Sequence, residues 1–458
     1  MKKTMLVLII LMIPILLSGC NRKKDIDGDN GNVELTYYVW GNNTEVAAIQ
    51  EVVDLFEAEN PTIRVNIERA GDNYFLDLKM KFASGRGPDI FLMDPGEIRP
   101  FLEEDLILEL DPYIAQSETL SLDDLWEVNN GYRFDGSRMG QGDLYALIKD
   151  WTPDFMLIYN KDHVASYRQS VPDAFPYLES DEPMTWSQFL EFSQALTIGS
   201  GTTITRYGTT MDFVPYKHLF EWIQMTGDPM FVGDRRTFNR DAEGVIDAFE
   251  FFVSLQEGAN APAPYKGSSS LAVGGERFTL GSVSSVFLGR WAFVAYGWYD
   301  VDFEIGILPP PVPDNRVTDD DGKRIPYAGV SGMIANSVNK DSEHPDEAYK
   351  FIEFYQTVGM ESLAELGYNI PGNKTVAYDV FLSVEDPDIR AINETFLDAA
   401  VSYSYPIEYN PYLSTTTIER IIGSAVSLYF ERREGLTSLS ALLDKIESDL
   451  NDEIRRQG

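Results

Sequence analysis

Cysteine is almost absent: Cys20 is the single one in 458 residues. No disulfide framework, cysteine-based metal site or cysteine nucleophile can therefore exist in a mature fold that begins there. Histidine is nearly as scarce. His163, His218 and His344 stand in unrelated contexts, and none falls in a metal-ligand spacing such as HExxH. Neither a GxSxG elbow nor a GxxxxGK(S/T) phosphate loop occurs. The glycines of "GSRMGQGD", Gly136 to Asp143, lack the strand-to-helix context of a dinucleotide loop and read as an ordinary loop. These absences point to no metal and no cofactor. Basic charge is short as well, with 37 Lys and Arg against 73 Asp and Glu, a formal net charge of −36. Such a chain repels nucleic acid and anionic membrane surfaces, so no nucleic-acid partner is expected. The acid is spread along the chain rather than gathered in a tail, which suits solubility in an extracytoplasmic setting.

What is present begins with "MKKTMLVLIILMIPILLSGC". Lys2 and Lys3 form a basic start, and the apolar stretch from Met5 to Leu17 is too short for a comfortable membrane span. Residues 1–19 read as a secretory signal. The ending "LLSGC" resembles the bacterial lipoprotein signal, in which cleavage precedes the cysteine and the thiol carries a lipid; Cys20 is then the lipidation site. An uncleaved anchor helix is the plainer alternative. Residues 20–32 are polar and rich in Gly and Asp, as in a flexible tether. Asp25, Asp27 and Asp29 resemble the start of a calcium loop, but Asn30 and Thr36 stand where Gly and Glu are required, and calcium is rejected.

From Val33 the pattern alternates through Leu35, Tyr37 and Val39 and ends at Trp40, which predicts a strand. Ile49, Val52, Val53 and Phe56 follow at helical spacing, and Asn60-Pro61 stops that helix. "IRVNIERA" alternates again, a helix is predicted over about 74–84, and "PDIFLMD" is a nearly continuous apolar strand. Strand, helix, strand, helix, strand is the order of a parallel sheet covered on both faces. Ligands of such sheets sit beyond the carboxyl ends of the strands, where Trp40 and Asp94 both fall. A rim tryptophan and a capping aspartate would be the purely structural explanation. Later, "LYALIKDWTPDFMLIYNKD" reads as extended, and Thr185 with Gln188 forms a capping box. Helices are expected around 218–227 and 242–257, and Pro345 opens another. The last ~40 residues carry two helical patterns parted near Gly435. No internal repeat and no second apolar span is found.

Aromatics are plentiful: 7 Trp, 24 Tyr and 26 Phe. Several Trp sit beside charges, as in Asp150-Trp151, Arg290-Trp291 and Trp298-Tyr299-Asp300. Sugar rings have apolar faces that stack on indoles and hydroxyls that suit carboxylates, Arg and Asn, so this supply fits a carbohydrate cleft. Each Trp alone is more often a core residue. Paired carboxylates of a glycosidase are not excluded by composition.

Taken in order, "LLSGC", "FEAENPTIRVNI", "KFASGRGPDIFLMD", "LYALIKDWTPDFMLIYNKD", "TWSQFLEFSQALT", "FLGRWAF" and "GVSGMIANSVNKDSEHPDEAYKFIEFY" resemble the extracellular solute-binding proteins of carbohydrate ABC importers, in the group related to maltose-binding protein. The resemblance implies an α/β, periplasmic-binding-protein-like fold: two α/β lobes, a multi-crossing hinge and a ligand cleft between them. It implies lobe one at 33–143 and 304–365 and lobe two at 144–303 and 366–458. It also implies a monomer that is lipid-anchored outside the cytoplasm, takes a carbohydrate ligand, and docks on ABC transporter permease subunits. Its cleft positions carry over to Trp40, Asp94, Trp151, Asp154, Arg290, Trp291 and Asn369. Around residues 151–154 this chain is longer than the tightest family versions, and Trp151 is the first choice to face the cleft, ahead of Thr152 and Asp154. No catalytic residue is implied; a surface-anchored glycoside hydrolase and a non-transport carbohydrate-binding lipoprotein are the alternatives. Trp291→Ala and Asp94→Ala are expected to weaken sugar binding severely with the fold intact; calorimetry showing unchanged affinity in both variants contradicts this site.

Overall fold

The computed structural model describes residues 32–457 apart from 72, 180–182, 201–202, 211–214, 234, 259–260, 264–270, 316–327, 331, 366–367, 407–409 and 411. The expected signal, Cys20, the tether up to residue 31 and the start of the rejected calcium loop lie outside the described residues.

Strand β1 (Val33–Val39) pairs in parallel with β2 (Ile63–Arg69) on one side and β3 (Ile90–Met93) on the other. Between the first two runs α1 (Asn43–Glu59), opened by a reciprocal capping box of Asn42 and Glu45. The helix buries Ile49, Val52, Val53 and Phe56, and the Phe56 ring meets Phe351 edge-on at 5.1 Å. Helix α2 (Tyr74–Ala83) covers the next crossover. The parallel βαβαβ unit expected from the apolar pattern is thus present, and every residue of β3 is buried.

The sheet extends to six strands in the order β9-β4-β8-β3-β1-β2, with β4 (Leu147–Trp151), β8 (Ile334–Val338) and β9 (Ile370–Pro371). Strand β8 runs antiparallel to β3 and β4. A second, antiparallel sheet places β5 (Met156–Asn160) between β6 (Ser285–Leu288) and β7 (Ile305–Leu308). Around this sheet pack α3 (Trp186–Leu196), α4 (Pro215–Met225), α5 (Glu243–Ser254) and α6 (Leu271–Thr279). The Thr185–Gln188 capping box forms, and Trp186 stacks on Phe251 at 4.9 Å. Helix α7 (Pro345–Phe354) belongs with the first sheet; α9 (Thr415–Phe430) and α10 (Leu439–Gln457) belong with the second, parted by Gly435 at φ +78°. Helix α8 (Pro387–Tyr403) serves both, sending Leu397 and Ala400 to one core and Phe396 and Ala399 to the other.

These cores shift the expected lobe bounds. Lobe one gathers residues 35–151 and 333–381, and lobe two gathers 155–312 and 413–454. Residues 147–151 and 370–371 were expected in lobe two, but β4 is buried along its whole length and needs hydrogen-bonded neighbours on both sides, which β8 and β9 supply. Residues 305–308 were expected in lobe one, yet they pair with β5. The chain crosses between lobes at Thr152–Phe155, where Phe155 is buried at φ +66°, an uncommon conformation for a bulky side chain. Residues 328–330 and 404–406 pair in parallel as a separate short ribbon.

The lobes also touch directly. The carboxylate of Glu97, just after β3 and 2% exposed, accepts the backbone N–H of Thr416 at the start of α9 at 3.0 Å, and Lys79 stands 3.9 Å from its other oxygen. Burial is the largest influence and holds the Glu97 pKa above its ordinary 4.5 despite those partners. An acid whose folded pKa is raised binds its proton more tightly when folded. Stability therefore falls as pH rises from about 4.5 through the raised value. Glu97→Gln keeps an acceptor for Thr416 and removes the buried charge; it is expected to flatten that segment of the stability–pH curve and raise the neutral-pH unfolding midpoint. An unchanged curve in urea titrations contradicts the assignment.

Candidate functional site

A cavity of about 590 Å³ lies between the lobes. Lobe one brings Trp40 from the end of β1, Asp94 from the end of β3, and Glu45 from the first turn of α1. It also brings Lys149 and Asp150 from β4, and Tyr355, Tyr368 and Asn369 from the segment between α7 and β9. Lobe two brings Glu276, Trp291 and Tyr296, and the crossing between the lobes brings Asp154. Parallel strands that start on one side of lobe one end on the other, so their last residues face the opposite lobe.

Each wall residue is held by neighbours. Trp40 packs edge-on against Tyr74 at 4.4 Å and lies 5.6 Å from Phe75, leaving it half-buried with part of its surface on the cavity. Asp94 uses Oδ1 to accept the Gly96 N–H at 2.7 Å, so the surfacing-turn role and the cavity position coexist. Glu45 accepts the Asn42 N–H at 2.5 Å and the Tyr368 hydroxyl. Lys149 is ion-paired to Asp150, whose other oxygen takes an Asn369 N–H at 2.9 Å. On lobe two, Trp291 donates its indole N–H to Asp154 at 3.0 Å.

The seat of Asp154 depends on two glycines. A Cβ on Gly289 would lie 2.2 Å from its Oδ1, and one on Gly332 would lie 2.9 Å from its Oδ2. Gly275 likewise leaves room for Tyr296, since a Cβ there would stand 2.1 Å from that ring. The Tyr296 hydroxyl is pushed up to about 12, first by burial and then by Glu276 and Glu45.

Five of the sequence-predicted residues, Trp40, Asp94, Asp154, Trp291 and Asn369, line this one cavity. Two do not. Trp151 is 2% exposed and packs against Trp126 at 5.3 Å within the lobe-one core. The sequence reading favoured it over Asp154, but β4 is sealed by β8 and β9, and the chain reaches the cavity again at Asp154. Arg290 is fully buried behind the wall. Its Nε donates to Asn393 Oδ1 at 2.8 Å, an Nη donates to the Tyr299 hydroxyl, and its backbone N–H reaches Thr152 Oγ1 at 3.1 Å. It braces the turn that carries Trp291. Sequence reasoning missed Glu45, Lys149, Asp150, Glu276, Tyr296 and Tyr368. Glu45 left a signal that could have found it, as the acid closing the Asn42 capping box five residues after Trp40.

Two lobes thus enclose a single cavity lined by aromatic and acidic side chains. The chain belongs to the bacterial extracellular solute-binding protein family, whose model matches residues 40–361, a family of extracytoplasmic binding proteins rather than enzymes. It is 21% identical over 400 residues to the galactooligosaccharide-binding protein of Bacillus subtilis, spanning 86% of each chain. It is 24% identical over 384 residues to the maltotriose-binding protein of Pyrococcus abyssi, spanning 81% of this chain and 73% of that one. Among solved structures, an ABC substrate-binding protein of Listeria monocytogenes in complex with cycloalternan aligns at TM-score 0.74 and 18% identity, over 92% of this chain and 98% of that one. The fold is therefore the two-lobed, periplasmic-binding-protein-like one.

Gly289→Ala is expected to force Asp154 away from Trp291 and to cost about 1–3 kcal/mol, as overpacking does. Urea unfolding that shows a loss under about 0.5 kcal/mol contradicts the tight seat, since ordinary surface changes stay within that range.

Proposed function

We propose that this protein captures a sugar or oligosaccharide between its lobes and delivers it to the permease subunits of an ABC importer. The observation that carries the reading is that one cavity receives an indole from each lobe, Trp40 and Trp291, with carboxylates beside both. Indole faces supply stacking area for the apolar faces of sugar rings, and Asp94 and Asp154 supply acceptors for hydroxyls. Contacts from both lobes favour a closed state by their differential affinity for it, with no covalent step. In this reading Asp94 hydrogen-bonds a hydroxyl, while Arg290 and Trp151 support the walls from behind. The names of the relatives, a galactooligosaccharide-binding and a maltotriose-binding protein, support a saccharide as the ligand class.

Residues 1–19 act as a secretory signal and 20–32 as a tether in the same proposal, with Cys20 lipidated and a monomer held at the outer face of the cell membrane. Stable anchoring in general takes two lipid or membrane signals.

A thermal-shift screen against mono- and oligosaccharides tests the reading. A ligand at about 100 times its Kd raises stability by about 2.7 kcal/mol, so a clear upward shift is expected for at least one saccharide, with no turnover of it. Hydrolysis of that saccharide by the pure protein contradicts the binding role. Separately, Cys20→Ser is expected to move the protein from the membrane to the soluble fraction and abolish fatty-acid labelling; labelling that persists contradicts lipidation at Cys20.

A further inference from the structure

Arg290 is a buried cation held by neutral groups. Its side chain is fully buried, and its hydrogen-bond partners are Asn393 Oδ1 and the Tyr299 hydroxyl. Among the described residues no carboxylate pairs with it, and its Nη1 has no hydrogen-bond partner. A charge buried in this way is costly, and apolar side chains of the same volume are often the more stable filling. Stability alone does not account for such a group, whereas its connections do.

Those connections reach two crossings between the lobes. At the first, Thr152 Oγ1 accepts the Arg290 backbone N–H at 3.1 Å, and Asp154 accepts the indole N–H of the adjacent Trp291 at 3.0 Å. At the other, Asn393 lies fully buried on α8, the helix that enters both cores. Its amide is used at both ends. Oδ1 accepts Arg290 Nε at 2.8 Å, and Nδ2 donates to the Phe381 carbonyl at 2.6 Å. Phe381 belongs to the lobe-one core and closes the π-helical turn Ala377–Phe381. An amide supplies an acceptor and a donor from one short side chain, so neither Asp nor Leu makes both bonds here.

We propose that Asn393 is a positioning residue for ligand binding, tying the Trp291 turn through Arg290 to the lobe-one core at Phe381. Asn393 does not line the cavity and acts only through Arg290. The tie fixes the lobe-two indole relative to lobe one, so one ligand meets both walls without first ordering that turn. The inference rests on the carbohydrate reading above and adds the residue that sets where Trp291 stands.

Calorimetry on the full mature chain with maltotriose, a β-1,4-linked galactotriose and cycloalternan, beside backbone hydrogen exchange without ligand, tests it. Asn393→Leu removes both bonds at similar volume. It is expected to weaken binding about tenfold, the worth of two hydrogen bonds, and to speed exchange at 289–296. Asn393→Asp keeps an acceptor for Arg290 and loses the donor to Phe381, and it decides alone if Asn393→Leu does not fold. It is expected to weaken binding about threefold, the worth of one hydrogen bond, with exchange at 289–296 unchanged. A merely structural role would not split the two readouts. Unchanged affinity in Asn393→Asp overturns the tie to lobe one, and exchange at 289–296 unmoved by Asn393→Leu overturns the hold on Trp291. A chain that binds none of the probes and no other saccharide overturns the carbohydrate reading, while the exchange arm still decides whether Asn393 holds the turn.

Discussion

The carboxylate of Asp154 is the point on which the cleft depends. It sits in the first crossing between lobes, is closely approached by Gly289 from lobe two and by Gly332 from the edge leading into β8, and accepts the Trp291 indole. Three separate stretches of chain thus converge on one side chain at the hinge. Any substituent at either glycine would collide with an oxygen that cannot retreat, because Asp154 is 4% exposed. The position of Trp291, and with it the lobe-two wall, follows from this seat and from the Arg290 brace behind it.

The opposite wall depends on simpler geometry. Parallel strands β1 and β3 end on the same edge, so Trp40 and Asp94 arrive there by sheet topology alone. One wall is therefore set by the regular part of the fold and the other by close packing at irregular turns. Regular strand ends give stiffness, and a crossing built of loop and glycine contacts is where hinge motion is absorbed. Glu97 adds a third tie by capping α9 across the lobes, at the expense of a buried charge.

The sequence made these two walls unequally legible. Period-two and 3.6-residue patterns identified β1, α1, β2, α2 and β3 with their buried faces, and that was enough to place Trp40 and Asp94 at one edge. The capping box at Thr185 and the Pro345 start are local signals, read correctly because the partners lie three residues apart or fewer. Long-range facts were not readable in the same way. Apolar runs such as "LIKDW" and "IGIL" do not state which sheet they join, so β4 and β7 were assigned to the wrong lobes. For the same reason Trp151, next to a charge and just before a crossing, resembled a wall residue although it is core. Arg290 looked like a ligand donor because its partners, Asn393 and Tyr299, include one about a hundred positions away. Glu276 and Tyr296 gave no signal, since only the folded arrangement brings Glu45 near them.

The central claim is that one ligand is held by both lobes at once. Hydrogen–deuterium exchange with and without a saturating saccharide measures this directly, because backbone protection reports on each segment separately. The account predicts added protection in both 40–45 of lobe one and 289–296 of lobe two. Protection confined to a single lobe, with the other unchanged at saturation, would contradict it.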